Sequence, residues 1–167
     1  MQYYRDILLI PKFDNINIIN NIRKDCDELY DAIEPHITLV FPFINDISDE
    51  ELVKKIRKYF FKRQKFHVKF KGVAYSNDNY IFLKCVAGED NIIKLHDDLY
   101  NKYFKDYLSK LEFIPHITIG QTFNCSDEKI KMLNDMQDVF ECDVDTVIIE
   151  KIGINNESIV IDEIKLK

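Results

Sequence analysis

Apolar and polar residues follow two different rhythms along the chain, and the switches between them lay out its elements. Residues Tyr3 to Ile10 are apolar and β-prone up to Pro11, which reads as a first strand. Asp14 stands where it can cap a helix, and Ile18, Ile19, Ile22, Cys26 and Leu29 then recur at helical spacing. Pro35 to Phe43 returns to strand. Ser48, followed three residues later by Glu51, makes a capping box for a second helix whose apolar face is Leu52, Val53, Ile56, Tyr59 and Phe60. Phe66 to Ala74 sets Phe66, Val68 and Phe70 against His67, Lys69 and Lys71, the period of a strand with one wet face.

After the polar turn Ser76 to Asn79 the same order starts again. Tyr80 to Val86 reads as strand, and Ile92, Leu95, Leu99, Tyr103 and Leu108 form the ridge of a long helix. Pro115 to Thr122 reads as strand, and Ser126 caps a helix carrying Ile130, Leu133 and Val139. Val144 to Ile154 and Ser158 to Leu166 close the chain as two strands about Asn155 and Asn156. Strand, helix, strand, helix, strand is thus spelled twice, with one strand more. That order predicts an α+β, bilobal, pseudo-two-fold duplicated fold with two antiparallel sheets, flanking helices and a shared central cleft. No Gly/Ser-rich or Pro-rich linker divides it, so residues 1–167 are expected as a single two-lobed domain with halves at about 1–76 and 79–167.

Composition narrows the class. The chain has 167 residues, 46% hydrophobic and 31% charged, enough apolar material for a globular core. Its longest apolar stretch, Ile37 to Ile44, is broken by Thr38 and Pro42 and falls far short of the roughly 20 residues a bilayer requires. With Arg5 and Asp6 so near the start and no apolar leader behind them, the expected location is the cytoplasm, without membrane attachment. A net charge of -6 argues against a general nucleic-acid coat protein, though not against a local basic groove. Four glycines leave no room for a phosphate-cradling loop. The four cysteines are scattered without a C-x-x-C pair and are expected as reduced, mostly buried thiols.

The candidate chemistry lies in a repeated tetrapeptide. Pro35-His36-Ile37-Thr38 recurs as Pro115-His116-Ile117-Thr118, 80 positions later and at the equivalent place in the doubled order. Strand alternation puts His36 and Thr38 on one face and Ile37, Leu39 and Phe41 on the other, and it separates His116 and Thr118 from Ile117 and Ile119 in the same way. If the lobes pair about a two-fold axis, two imidazoles and two hydroxyls surround one point. One neutral and one protonated imidazole can act together as base and acid, while the hydroxyls donate to phosphate oxygens. Two other readings stand beside this one: duplication relics kept for folding, and a zinc site, for which His67 and His96 offer no companion spacing. His96 is expected to border a buried helix ridge or meet a carboxylate, His67 to be a solvated strand residue, and Phe41 to pack in the core.

On these two tetrapeptides and the strand preceding the first, the sequence resembles the two-histidine (2H) phosphoesterase superfamily of 2'-5' RNA ligase-like proteins and cyclic phosphodiesterases. The resemblance implies His36 and His116 as the catalytic pair, with acid and base roles open between them, and Thr38 and Thr118 as phosphate ligands. It implies a metal-independent phosphodiesterase acting on a 2',3'-cyclic phosphate or a related nucleotide or RNA-end phosphodiester, with 2'-5' ligation as its reverse. No cofactor or metal is called for, the partner is a nucleotide or RNA terminus, and a monomer is expected. Many RNA ligase-like members carry arginine five residues after the second motif histidine, where this chain has Gln121. Arg23 and Gln121 are the further positions expected near the substrate. The alternative function is a non-catalytic nucleotide or RNA-end binding module using the same cleft.

Overall fold

The computed structural model describes residues 3–167. β1 (Arg5–Leu9), α1 (Ile16–Cys26) and β2 (Ile37–Phe43) are followed by α2 (Asp49–Phe60) and β3 (Phe66–Tyr75). The sequence of elements then resumes with β4 (Tyr80–Ala87), α3 (Glu89–Leu99), β5 (His116–Gln121) and α4 (Asp127–Asn134), and closes with β6 (Val139–Val144), β7 (Thr146–Ile152) and β8 (Ser158–Lys165). These strands form two four-stranded sheets, ordered β2-β1-β7-β8 and β5-β4-β3-β6, with every pairing antiparallel. The fold is α+β and bilobal. The sheets do not coincide with the halves of the chain: β3 joins β4 through a hairpin with Asn79 at φ 70°, and β7 and β8 complete the first sheet beside β1.

Local signals explain most element boundaries. The Ser48 and Ser126 hydroxyls accept from the Glu51 and Lys129 amides at 3.2 Å, capping α2 and α4 as their spacing requires. Asp14 does not cap α1: Asn15 occupies the cap position, and its side chain donates instead to the Val139 carbonyl at 3.0 Å. α1 stops at Cys26, short of Leu29, because Asp27 turns back to Arg23 Nε at 2.7 Å and accepts the Leu29 amide at 3.0 Å. Beyond Leu99 the third helix changes to a π turn at Tyr100–Phe104 and a 3-10 turn at Lys105–Tyr107, so Tyr103 and Leu108 lie outside its α-helical part. Val139, expected on a helix, opens β6 instead. Its strand finds its hydrogen-bond partners on β3, where Phe140 stands opposite Phe70, a pairing no local pattern specifies.

The helices cross between lobes. α2 packs on β8 and α4 on β3, but α1, which precedes β2 in the chain, packs on β5, while α3, which precedes β5, packs on β2. Cys26 and Cys125 are therefore brought together across 99 residues, with Cα atoms 4.8 Å apart, and form a disulfide; Cys85 and Cys142 are free. This corrects the expectation of four reduced thiols, because a bridge between a helix end and the segment after a distant strand leaves no spacing motif.

One buried pair has a pH consequence. Asp6 and Glu150 stand opposite each other in β1 and β7, at 6% and 2% exposure, and Asp6 Oδ1 has no hydrogen-bond partner. Burial, with the Glu150 carboxyl beside it, raises the Asp6 pKa from 3.8 to about 8. The folded chain therefore holds a proton that the unfolded chain releases, and stability falls as pH rises from about 4 to about 8. Asp6→Asn is expected to raise the Tm at pH 8, by a stabilisation of about 1–3 kcal/mol, with the gain shrinking towards pH 5. A wild-type Tm that climbs across that window would show the pair ionised in the native state.

Candidate active site

Each motif strand is the edge of its sheet, and the two edges, β2 and β5, meet where the lobes join. Both strands break register directly after the motif threonine. Leu8 faces Thr38 but Ile7 faces Val40, and Phe82 faces Thr118 but Ile81 faces Gly120. The skipped residues, Leu39 and Ile119, are themselves equivalent in the repeat. This irregularity overturns the expectation for Phe41: parity shifts, Val40 takes the buried side, and Phe41, 41% exposed, turns into the cleft. Gly120 is required by the close approach of α1, since a Cβ there would lie 2.6 Å from that of Cys26.

The two histidines are held identically. His36 Nδ1 lies 2.8 Å from the Glu34 carbonyl and His116 Nδ1 lies 2.7 Å from the Ile114 carbonyl, each two residues upstream across the motif proline. A carbonyl only accepts, so Nδ1 carries the proton in both rings and Nε2 is left with a free lone pair. Burial lowers the pKa of both below the ordinary 6.5, with the carbonyl contacts opposing it. At His36 the nearby Arg23 and His116 charges also lower it, while the Asp27 carboxylate opposes them. The His116 ring rests on Phe82, with centroids 3.9 Å apart.

Thr38, His116 and Thr118 line a cavity of about 1050 Å³ between the sheets. His36 precedes Thr38 on the same strand face. No hydrogen bond among the described residues engages either threonine hydroxyl. Much of the wall is aromatic: Phe41, Tyr80, Phe82, Tyr100 and Phe113, with Phe113 stacked on His96 at 3.7 Å. Among the described residues Lys84 is the single lysine or arginine in that wall, directly opposite His116 in the β4–β5 register. It lies over Gly72, where a Cβ would crowd it at 3.2 Å, and it makes no ion pair among the described residues. Sequence reasoning singled out neither Lys84 nor Phe82, although the alternation Tyr80, Phe82, Lys84 puts them on one face of a strand.

The remaining expected residues have other duties. Arg23, at 2% exposure, spends its guanidinium on Asp27 and on the Leu29 and Ile33 carbonyls, at 3.2 and 2.8 Å, and does not line the cavity. It braces the loop that delivers His36. Gln121 is also buried, accepting from Asn124 at 3.2 Å, and lies outside the cavity wall. His96 borders its buried ridge as expected, but it meets the Leu39 carbonyl at 2.8 Å rather than a carboxylate. His67 lies among Glu141 and Asp143 on the solvated side of β3. Among the described residues no three His, Cys, Asp or Glu side chains converge as a metal-binding group, and no helix is long and apolar enough to cross a membrane.

Comparison with known proteins places this geometry in a family. The sequence profile of the 2'-5' RNA ligase superfamily matches residues 11–153. A protein of Geobacillus sp. (strain WCH70) that carries the name phosphoesterase is 34% identical over 118 residues, 69% of this chain and 67% of its own length. A namesake from Bacillus licheniformis is 28% identical over 138 residues, 78% of each chain. Escherichia coli LigT, in its complex with 3'-AMP, superposes with a TM-score of 0.66 at 11% identity, over 100% of this chain and 99% of LigT. A protein of Thermus thermophilus also gives 0.66 at 11% identity, over 98% and 97% of the two chains. At such identity the structural likeness speaks for the fold alone, and it is the profile match across both histidine motifs that decides: the chain belongs to the 2'-5' RNA ligase superfamily of two-histidine phosphoesterases.

Proposed function

We propose that the protein is a phosphodiesterase that opens 2',3'-cyclic phosphates, or related nucleotide and RNA-end phosphodiesters, by acid–base catalysis between His36 and His116. The observation that carries this reading is the matched anchoring of the two rings, each with its Nδ1 proton spent on a backbone carbonyl and its Nε2 free. One Nε2 takes a proton from water as its oxygen attacks phosphorus. The other imidazole, protonated, gives its Nε2 proton to the ribose oxygen as the P–O bond breaks. Thr38 and Thr118 donate to the non-bridging oxygens, where negative charge accumulates, and Lys84 supplies the cleft's positive charge. Run backwards, the same two groups join a 5'-hydroxyl to the cyclic phosphate in a 2'-5' link. LigT has been crystallised in complex with 3'-AMP, ATP and NADP+, which supports a nucleotide as the class of ligand.

Incubation with 2',3'-cyclic mononucleotides in EDTA is expected to yield the ring-opened monophosphate. His36→Ala and His116→Ala should each lower kcat by about 10²-fold or more, the usual scale for a positioned acid or base. Thr38→Ala and Thr118→Ala should cost less, since each removes one hydrogen bond worth about 0.5–1.5 kcal/mol. Full activity in either histidine variant, with circular dichroism unchanged, would end the two-histidine mechanism, whereas nucleotide binding by the wild type with no ring opening would leave the non-catalytic binding module as the better account.

The pH profile follows from the direction of the two shifts. The base must be neutral and the acid protonated, and both rings ionise below 6.5 in the free protein. The bell of kcat/KM is therefore expected to peak on the acid side of pH 6.5, and each single histidine variant should lose one limb. A maximum above pH 8 would contradict the burial of the two rings.

A further inference from the structure

Across α3 from the catalytic cleft, the chain gathers positive charge that the proposed reaction does not use. His96 and Tyr100 of this helix and its π turn face the cleft, whereas Asp98, Asn101 and Lys102 line a separate cavity of about 540 Å³ with Lys58, Tyr59 and Arg63. A second cavity of about 420 Å³ shares Arg63 and adds Lys62, Lys65 and Lys94. Among the described residues Asp98 is the one carboxylate lining either cavity, and it already receives Arg63 at 3.1 Å, Lys94 at 3.6 Å and the Tyr59 hydroxyl at 3.1 Å. Lys58, Lys62 and Lys102 have no ion pair among the described residues. In a chain of net charge -6, this face inverts the sign of the whole.

Aromatic rings are set among these cations. Phe61, 67% exposed, has the Lys62 and Lys167 ammoniums 5.8 and 5.4 Å from its ring centre. Tyr59 has the Arg63 guanidinium at 4.1 Å. A phosphate chain pairs with such ammoniums while one of its bases stacks on an open ring. An anionic membrane suits the face less well, because stable attachment takes a broad apolar surface or a second anchor, and the open apolar group beside the Lys62 edge of the groove is the single ring of Phe61.

We propose that this groove along α2 and α3 binds single-stranded RNA through its phosphates, with Phe61, outside the groove's own lining but beside Lys62 at its edge, as the stacking platform. The site is independent of turnover in the cleft, so the two are measured separately. The probe is a fluorescently labelled single-stranded RNA 12-mer ending in a 3'-hydroxyl, followed by anisotropy against the whole chain. K58E/K62E/K102E is expected to weaken binding at least tenfold and, by removing three phosphate contacts, to flatten the slope of log K against log salt by about 2. Phe61→Ala is expected to weaken it about tenfold. His36→Ala/His116→Ala should bind the RNA as wild type does, and the triple lysine variant should keep wild-type turnover of cyclic mononucleotides. Should the glutamates perturb folding by circular dichroism, K58Q/K62Q/K102Q is used and must weaken binding in the same direction. Wild-type affinity in the lysine variants, no RNA binding by the wild type, loss of binding in the double histidine variant, or capture by phosphatidylserine vesicles in place of RNA would each overturn the proposal.

Discussion

The meeting of two sheet edges is the constraint on which this structure depends. An edge strand exposes unpaired N–H and C=O groups and invites pairing with another chain. Here the exposed groups of β2 are taken up by α3 and its π turn: the Leu39 carbonyl by His96, and the Phe41 amide by the Tyr100 hydroxyl at 3.1 Å. On the other side, the end of α1 is drawn onto β5 closely enough to require Gly120 and to join Cys26 to Cys125. Each motif strand is thus braced by the helix that precedes the other motif in the chain. Because α1 and α3 cross in this way, each motif strand packs against a helix contributed by the other half of the chain.

That bracing also sets the electrostatics. The rings of His36 and His116 are held by carbonyls, which fix the tautomer, and by surroundings that disfavour added charge. Arg23 participates from beneath, since its buried cation depresses His36 while its guanidinium ties the Asp27 to Ile33 loop. Asp6 and Glu150, set in the sheet beside β2, are governed by the same burial with the opposite sign of shift, because the form disfavoured there is an anion. Among the described residues Lys84 is the only lysine or arginine in the aromatic cleft wall, whereas the basic groups across α3 line separate cavities.

The chain by itself determined what depends on near neighbours. The two Pro-His-Ile-Thr tetrapeptides fixed the strand starts and, through the proline, the carbonyl that each imidazole meets two residues back. Ser48 and Ser126 fixed two helix starts by their own hydroxyls. Tertiary structure decided whatever needed a partner far along the chain. The breaks in register that turn Phe41 towards the cleft arise from how β2 fits β1, and β6 exists as a strand because β3 offers it an open edge. Arg23 carries the same charge on paper whether it faces a phosphate or Asp27, and only the path of the loop from Asp27 to Pro35 chooses between them. The cystine, the Lys84 position and the basic groove are of the same kind. Periodicity and capping act over one or two turns of chain, whereas burial, pairing and charge density are properties of surfaces assembled from segments up to 99 residues apart.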